Sequence, residues 1–254
     1  MDWHKQFSIQ ASWTKGIREF FFTQCCTENF GRILDVGCGT GVLETELKTK
    51  LRADLFGLDN DFESLIEARK HVEINQWICA DAHDLPFSSG AFDLVFCHYL
   101  LLWIGDPLRV VKEMMRLTRN EGIVAAFAEP DYRGRIDYPD PLSRLAEWQR
   151  ESLRIQGANP DMGRQLKAIF VAAGLQDVQA GILGAQWSSS PVDSDFDSEW
   201  DLIDFDLQSL SDSIPKWQIT RLKEIDRLSR RKGERILFVP TFYAWGKVSK
   251  SVKS

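Results

Sequence analysis

Two apolar periods alternate through the first half of the chain. Runs that are apolar at almost every position cover Arg32–Val36, Ala53–Asn60, Trp77–Ala80, Ala91–His98 and Gly122–Ala128. Between them lie stretches whose apolar residues recur every third or fourth place, Val42–Lys50, Phe62–Lys70 and Leu108–Thr118. The first pattern predicts strands buried on both faces and the second predicts amphipathic helices. Such strands demand a parallel sheet with helices on either side and right-handed crossovers, which is a doubly wound α/β fold. Residues 7–26 carry helical spacing and several aromatics, so a helix or helix pair is expected before the first strand.

Beyond the fifth strand the pattern changes. Asp131–Pro141 is a loop rich in turn formers, followed by expected helices at Leu142–Gln156 and Met162–Ala173, the latter closing at Gly174. A sixth strand is expected at Leu175–Trp187. From Ser188 to Ser213 eight acids occur without a Lys or Arg, yet Phe196, Trp200, Leu202, Ile203, Phe205, Leu207 and Leu210 run between them. This predicts an amphipathic lid helix, not a disordered tail. A helix over Ile214–Arg231, basic toward its end, faces it in the reading, and a last strand covers Glu234–Val248. The expected organisation is one domain over 1–254: a helical cap (1–30), a core (31–129), and insertions or a lid (130–160 and 188–233).

Composition narrows the function. With 254 residues and 44% hydrophobic content the chain can bury one sizeable core. A formal charge of −6 and a pI near 5.3 argue against a general binder of nucleic acid or of an anionic membrane. No run of about 18 apolar residues occurs and the N-terminus has no signal-like hydrophobic block, so a cytoplasmic protein is expected. Five cysteines, Cys25, Cys26, Cys38, Cys79 and Cys97, show no C-x-x-C spacing, so reduced thiols and no metal are expected.

The chemistry concentrates at Asp35-Val36-Gly37-Cys38-Gly39-Thr40-Gly41, an acid at a strand end followed by glycines at alternate positions and a helix. Glycine lets the backbone approach a ligand closely. The spacing is tighter than the G-x-G-x-x-G of a dinucleotide site and places an acid before the first glycine, which suits a cationic amino-acid end better than a phosphate. Ile33–Gly41 resembles the first motif of class I S-adenosylmethionine-dependent methyltransferases, and the resemblance runs over about residues 31–129. Asp59, 22 positions after Gly37, is the second match: an acid at the next strand end that accepts from both ribose hydroxyls.

The resemblance implies a seven-stranded, mostly parallel sheet of order 3-2-1-4-5-7-6 with strand 7 antiparallel, and helical insertions capping the active site. It implies S-adenosylmethionine as cofactor and S-adenosylhomocysteine as product. The implied cofactor residues are Asp35, Gly37, Cys38, Gly39, Gly41, Asp59, Asn60 and Cys97. Asp81 would take the adenine amino group and the Ala82 amide a ring nitrogen, with Leu85 and Phe87 lining the ring. Trp13, Thr14 and Arg18 would face the cofactor from the leading helix, Arg18 with its fork on the cofactor carboxylate.

Ligands of doubly wound sheets lie beyond the carboxyl ends of strands where strand order reverses, here between strands one and four. That makes His98, Tyr99, Trp103, Glu129, Asp131 and Tyr132 acceptor-site candidates. His98 is the first choice of general base and Glu129 the second. Arg133 and Arg135 hint at an acidic acceptor; Trp13, Tyr99, Trp103, Tyr132 and Trp187 supply aromatic surface. Strand four ends Cys97-His98-Tyr99 and not in the Asn/Asp-Pro-Pro-Tyr/Phe pattern of enzymes that methylate nucleic-acid exocyclic nitrogens or glutamine. The expectation is therefore direct methyl transfer to a small molecule. An RNA or protein methyltransferase, and a scaffold that only binds cofactor, stay open beside it.

Overall fold

A computed structural model describes residues 2–25, 30–184 and 196–249. Cys26, Trp187 and the acidic stretch before Phe196 lie outside them. The chain runs α1 (Trp3–Trp13), α2 (Lys15–Gln24), β1 (Arg32–Val36), α3 (Val42–Lys50), β2 (Asp54–Asp59), α4 (Phe62–His71), β3 (Gln76–Cys79), β4 (Phe92–Cys97), α5 (Pro107–Leu117) and β5 (Thr118–Pro130). It continues through β6 (Ile136–Tyr138), α6 (Ser143–Ile155), α7 (Leu166–Ala173), β7 (Gln176–Ile182), α8 (Phe196–Asp206), α9 (Lys216–Arg231), β8 (Ile236–Phe238) and β9 (Thr241–Lys247). No helix among the described residues is long and apolar enough to cross a membrane.

Seven strands form one sheet in the order β3-β2-β1-β4-β5-β9-β7. β1 lies between β2 and β4, parallel to both, with Asp35 opposite Gly57 on one side and Phe96 on the other. Leu34, Val36, Leu94, Phe96, Val124 and Phe127 are fully buried, as strands covered on both faces require. β9 and β7 pair antiparallel. The expected order and its antiparallel member are met, with β7 as the sixth sheet strand and β9 as the seventh.

One departure follows from local chemistry. The expected last strand, Glu234–Val248, breaks before Thr241, where Pro240 has no N–H for a ladder and its carbonyl instead accepts from the Asp131 amide at 2.8 Å. Its first part becomes β8, which pairs antiparallel with β6 in a separate two-stranded sheet. Pro130–Met162 with Leu183–Pro240 make a compact unit, called the insertion unit below. The sheet unit comprises the chain up to Glu129, Gly163–Ile182 and the chain from Thr241.

The insertion unit has its own core of Leu142, Leu145, Phe196, Trp200, Ile203, Leu207, Ile214 and Leu222. Its polar interior turns on Asp226, which is buried and accepts from Trp200 Nε1 at 2.7 Å, Arg235 Nε at 2.5 Å and Arg230 Nε at 3.2 Å. Arg235 also donates to Asp137 at 2.7 Å, and Asp137 takes Arg135 Nε at 2.6 Å. The acids of α8 are answered inside the unit as well, Glu199 by Arg230 and Asp204 by Lys223. Removing one member of a buried ion cluster leaves the others uncompensated, at a cost of about 3–5 kcal/mol. Asp226→Ala should therefore lower the stability of the insertion unit by about that amount, read from urea unfolding followed by Trp200 fluorescence. A loss below about 1 kcal/mol would show that the cluster is dispensable.

Candidate active site

The carboxyl end of β1 opens into the glycine turn, and backbone geometry there is tightly held. The Gly37 and Cys38 amides both donate to the Leu58 carbonyl, at 2.7 and 3.0 Å, which ties the turn to the end of β2. Gly37 has φ +79°, and a Cβ on it would fall 2.8 Å from Leu100 Cδ1. Gly41 has φ +75° and is the N-cap of α3; its Cβ would fall 2.7 Å from the Trp77 ring. Both positions need glycine for conformation and for space. Asp59 braces the turn from β2: Oδ2 accepts from the Gly39 amide at 2.8 Å and Oδ1 from the Asp61 amide at 2.9 Å. Its remaining lone pairs are those that the ribose expectation requires.

α1 lies across this turn. Phe7 sits 3.4 Å from where a Gly39 Cβ would be, and His4 Nδ1 is within 3.0 Å of Thr40 Oγ1 and 3.1 Å of its carbonyl. The His4 ring stacks on His71 with centroids 3.4 Å apart. None of Phe7, His4 and Trp77 was singled out from sequence, since an aromatic in a helix or strand reads as core. The lone glycine Gly57, amid the apolar run of β2, was the available signal for Trp77, whose ring crowds that position as well.

Beneath the turn lie Asp35 and Glu44, the latter in the first turn of α3, both buried. Asp35 Oδ1 and both Glu44 oxygens have no hydrogen-bond partner. Burial, then the neighbouring Glu44 charge, push the Asp35 carboxyl well above the usual carboxylate range, and burial raises Glu44 to about 7. Glu44 was not read from sequence, because an acid in a first helical turn is ordinarily a solvated partner of the helix dipole.

The remaining cofactor candidates divide. The Asp81 carboxylate is exposed and accepts from His83 through the backbone amide at 2.8 Å and Nδ1 at 2.7 Å; Ala82 is buried. Asn60 lies at the end of β2 beside Asp59, and its carbonyl accepts from Cys79 Sγ at 3.6 Å. Leu85 is buried, and Phe87 is half-buried and packs edge-on against Phe92 and Phe56. Cys38 and Cys97 are buried thiols whose pKa burial pushes up, whereas Cys79 is exposed. Among the described residues no cluster of three or more His, Cys, Asp or Glu is placed to hold a metal.

Arg18 departs from its expected role. Its Nε and Nη2 donate to Glu46 at 2.9 and 2.5 Å, Nη1 to Thr14 Oγ1 at 3.0 Å and Nη2 to the Ala11 carbonyl at 3.0 Å. The fork expected on a cofactor carboxylate is spent on Glu46. Thr14 Oγ1 in turn lies 2.8 Å from His98 Nε2. Desolvation, helped by the Arg18 charge, drives the His98 pKa down to about 3.

Glu129 is fully buried. Oε1 accepts from the Leu100 and Leu101 amides at 3.1 and 2.7 Å, and Oε2 from the Leu102 amide at 2.9 Å. The carboxyl thus pins the turn Leu101–Trp103, and burial raises it to about 8 against three amides that favour its charge. It is a support, in place of the second-choice base. Tyr99 takes φ +53°, donates its amide to Ala128 and packs edge-on against His98 at 4.6 Å. Trp103 and Trp13 are about half exposed. In the insertion unit the Tyr132 amide donates to the Pro160 carbonyl at 2.9 Å, Asp131 is buried and Arg133 is exposed. Arg135, bound to Asp137 and Gln149, is structural.

Residues 34–126 match a family model described as a methyltransferase domain. Malonyl-[acyl-carrier protein] O-methyltransferase of Legionella pneumophila is 37% identical over 95 residues, 36% of this chain and 34% of that protein. Ubiquinone biosynthesis O-methyltransferase of Neisseria meningitidis is 31% identical over 99 residues, 37% of this chain and 42% of that protein. The match therefore spans well under two thirds of either relative. A solved structure of phosphoethanolamine N-methyltransferase 2 from Haemonchus contortus, holding phosphomonomethylethanolamine and S-adenosylhomocysteine, shares the fold. It aligns at TM-score 0.59 and 15% identity over 93% of this chain and 53% of that one.

Two outcomes test the site. Gly41→Ala forces a side chain into a left-handed residue, about 1–2 kcal/mol by itself, and against Trp77, so S-adenosylmethionine affinity by calorimetry should fall about tenfold or more. Affinity equal to wild type would place the cofactor elsewhere. For His98, the native pKa near 3 lies below the unfolded value of 6.5. The stability gained by keeping the ring neutral is complete above pH 6.5 and is lost as pH falls toward 3. Melting temperatures taken from pH 7 down to 4 should therefore decline less steeply in His98→Asn than in wild type.

Proposed function

We propose an acceptor and a chemistry for a chain that belongs to the class I, Rossmann-like S-adenosylmethionine-dependent methyltransferases. Its cofactor is S-adenosylmethionine, whose sulfonium supplies an activated methyl for direct displacement. The turn Gly37–Gly41 with Asp35 would hold the methionyl end, Asp59 and Asn60 the ribose, and Asp81 with the Ala82 amide the adenine. The fit rests on main chain held open by glycine and on the unpartnered Asp35 oxygen beneath it.

The acceptor we infer is a small carboxylate, free or carried as a thioester, methylated on oxygen. One observation carries this: the two candidate bases, His98 and Glu129, are hydrogen-bonded within the protein. Glu129 spends both oxygens on three amides, and His98 gives Nε2 to Thr14. A hydroxyl acceptor must lose a proton to a base in the transition state, whereas a carboxylate arrives deprotonated. The protein then has to orient the oxygen in line with the methyl and exclude water. In this reading Tyr99 and Trp103 shape the acceptor side, and His98 positions the end of β4. The Legionella relative acts, by its name, as an O-methyltransferase on a malonyl group, which when thioester-bound has one free carboxylate.

A methyl-labelled S-adenosylmethionine assay over dicarboxylates, their thioesters, amines and phenols tests the proposal. The expected product is an alkali-labile methyl ester, with His98→Asn retaining the rate within about tenfold, against the 10²–10⁴-fold loss of a general base. A phenol ether as sole product, or a His98→Asn loss of about 10³-fold, would refute it.

A further inference from the structure

Glu44 and Asp35 present an electrostatic problem that the described residues do not solve. Glu44 is 1% exposed and Asp35 3%, and three of their four oxygens have no hydrogen-bond partner. The cation nearest by charge, Arg18, has its guanidinium engaged by Glu46, Thr14 and Ala11. The other charge acting on the pair is Asp59 from β2, which adds to the repulsion, and the thiols of Cys38 and Cys97 beside it are kept protonated by burial. Two adjacent carboxylates buried in low dielectric cannot both ionise, so the pair keeps a proton that one carboxyl donates to the other.

The cofactor named above, on which this inference rests, brings an α-ammonium with three N–H donors to the same turn. The buried carboxyl pair matches it in charge and offers acceptor oxygens that no other side chain takes up. We propose that Glu44 and Asp35 together seat the cofactor's ammonium, and that its arrival displaces the proton the two carboxyls share. In that exchange one carboxyl O–H bond breaks and its proton passes to solvent, while N–H···O bonds form to both carboxylates. No residue of the glycine motif supplies the second charge; it comes from the helix that follows. The arrangement discriminates by charge: an adenosine thioether lacking the amino-acid end leaves the proton in place.

Calorimetry of the full chain at pH 6.5, in two buffers of different ionisation enthalpy, counts the protons. S-adenosylmethionine and S-adenosylhomocysteine should each release about one proton, since both carry the ammonium although only one has a charged sulfur. 5′-Methylthioadenosine, which lacks the ammonium, should release none. The affinity of S-adenosylhomocysteine should climb about tenfold per pH unit where the pair titrates, and Glu44→Gln should abolish both the release and that slope while lowering affinity at pH 8 by about tenfold or more. Binding without proton release in wild type overturns the proposal and leaves the cofactor assignment standing. Failure of wild type to bind either compound overturns both. The wild-type proton count stands whether or not Glu44→Gln folds, which circular dichroism reports.

Discussion

Acidic side chains where strands of a doubly covered sheet meet their loops put negative charge where water is scarce, and the sheet unit is arranged to answer that charge with backbone N–H groups. Asp59 accepts two amides of the loops beside it, Glu129 accepts three from the turn after β4, and Asp93 accepts the Gly31 and Arg32 amides that lead into β1. Each carboxylate thereby fixes a loop that would otherwise leave orphan amides beside the core. Asp59 and Glu129 shape the loops at the ligand end of the sheet as much as those loops' own turn propensities do, and Asp93 acts at the opposite end.

Asp35 and Glu44 break this rule, and they do so at the glycine turn. An unsatisfied buried carboxyl costs free energy that a fold retains where a ligand repays it. Around the pair the contacts are dense: α1 crosses the turn through Phe7 and His4, Trp77 fills the space that glycines leave, and Arg18 is held between Glu46 and Thr14. The same clamp reaches His98 through the Thr14 hydroxyl, so the side chain with the most versatile chemistry at the end of β4 is held neutral and oriented. With both candidate bases so engaged, the carboxylate acceptor proposed above leaves alignment as most of the catalysis.

The insertion unit solves a different problem. It is small, and it supplements its apolar core with a buried network in which Asp226, Asp137 and three arginines satisfy one another. Such networks add little net stability over an apolar filling but penalise any packing that separates the partners. Arg135, read as a hint of an acidic acceptor, belongs to that network; Arg133, two residues earlier, points its charge to solvent.

What the sequence alone determined is the sheet and the cofactor turn. Near-continuous apolar runs and alternating glycines are local patterns whose physical meaning survives any tertiary context, so the parallel sheet, its helices and the tight turn at Gly37–Gly41 were legible in advance, and strand order followed from the family resemblance. The pairing of side chains distant in sequence was decided only by tertiary structure. Arg18 finds Glu46, His98 finds Thr14, and Glu129 finds three amides because folding brings them within about 3 Å, and a group so engaged loses the chemistry its residue type advertises. Glu44 runs the other way: on a helix it reads as a solvated acid, and only burial against Asp35 turns it into a group that needs a cation.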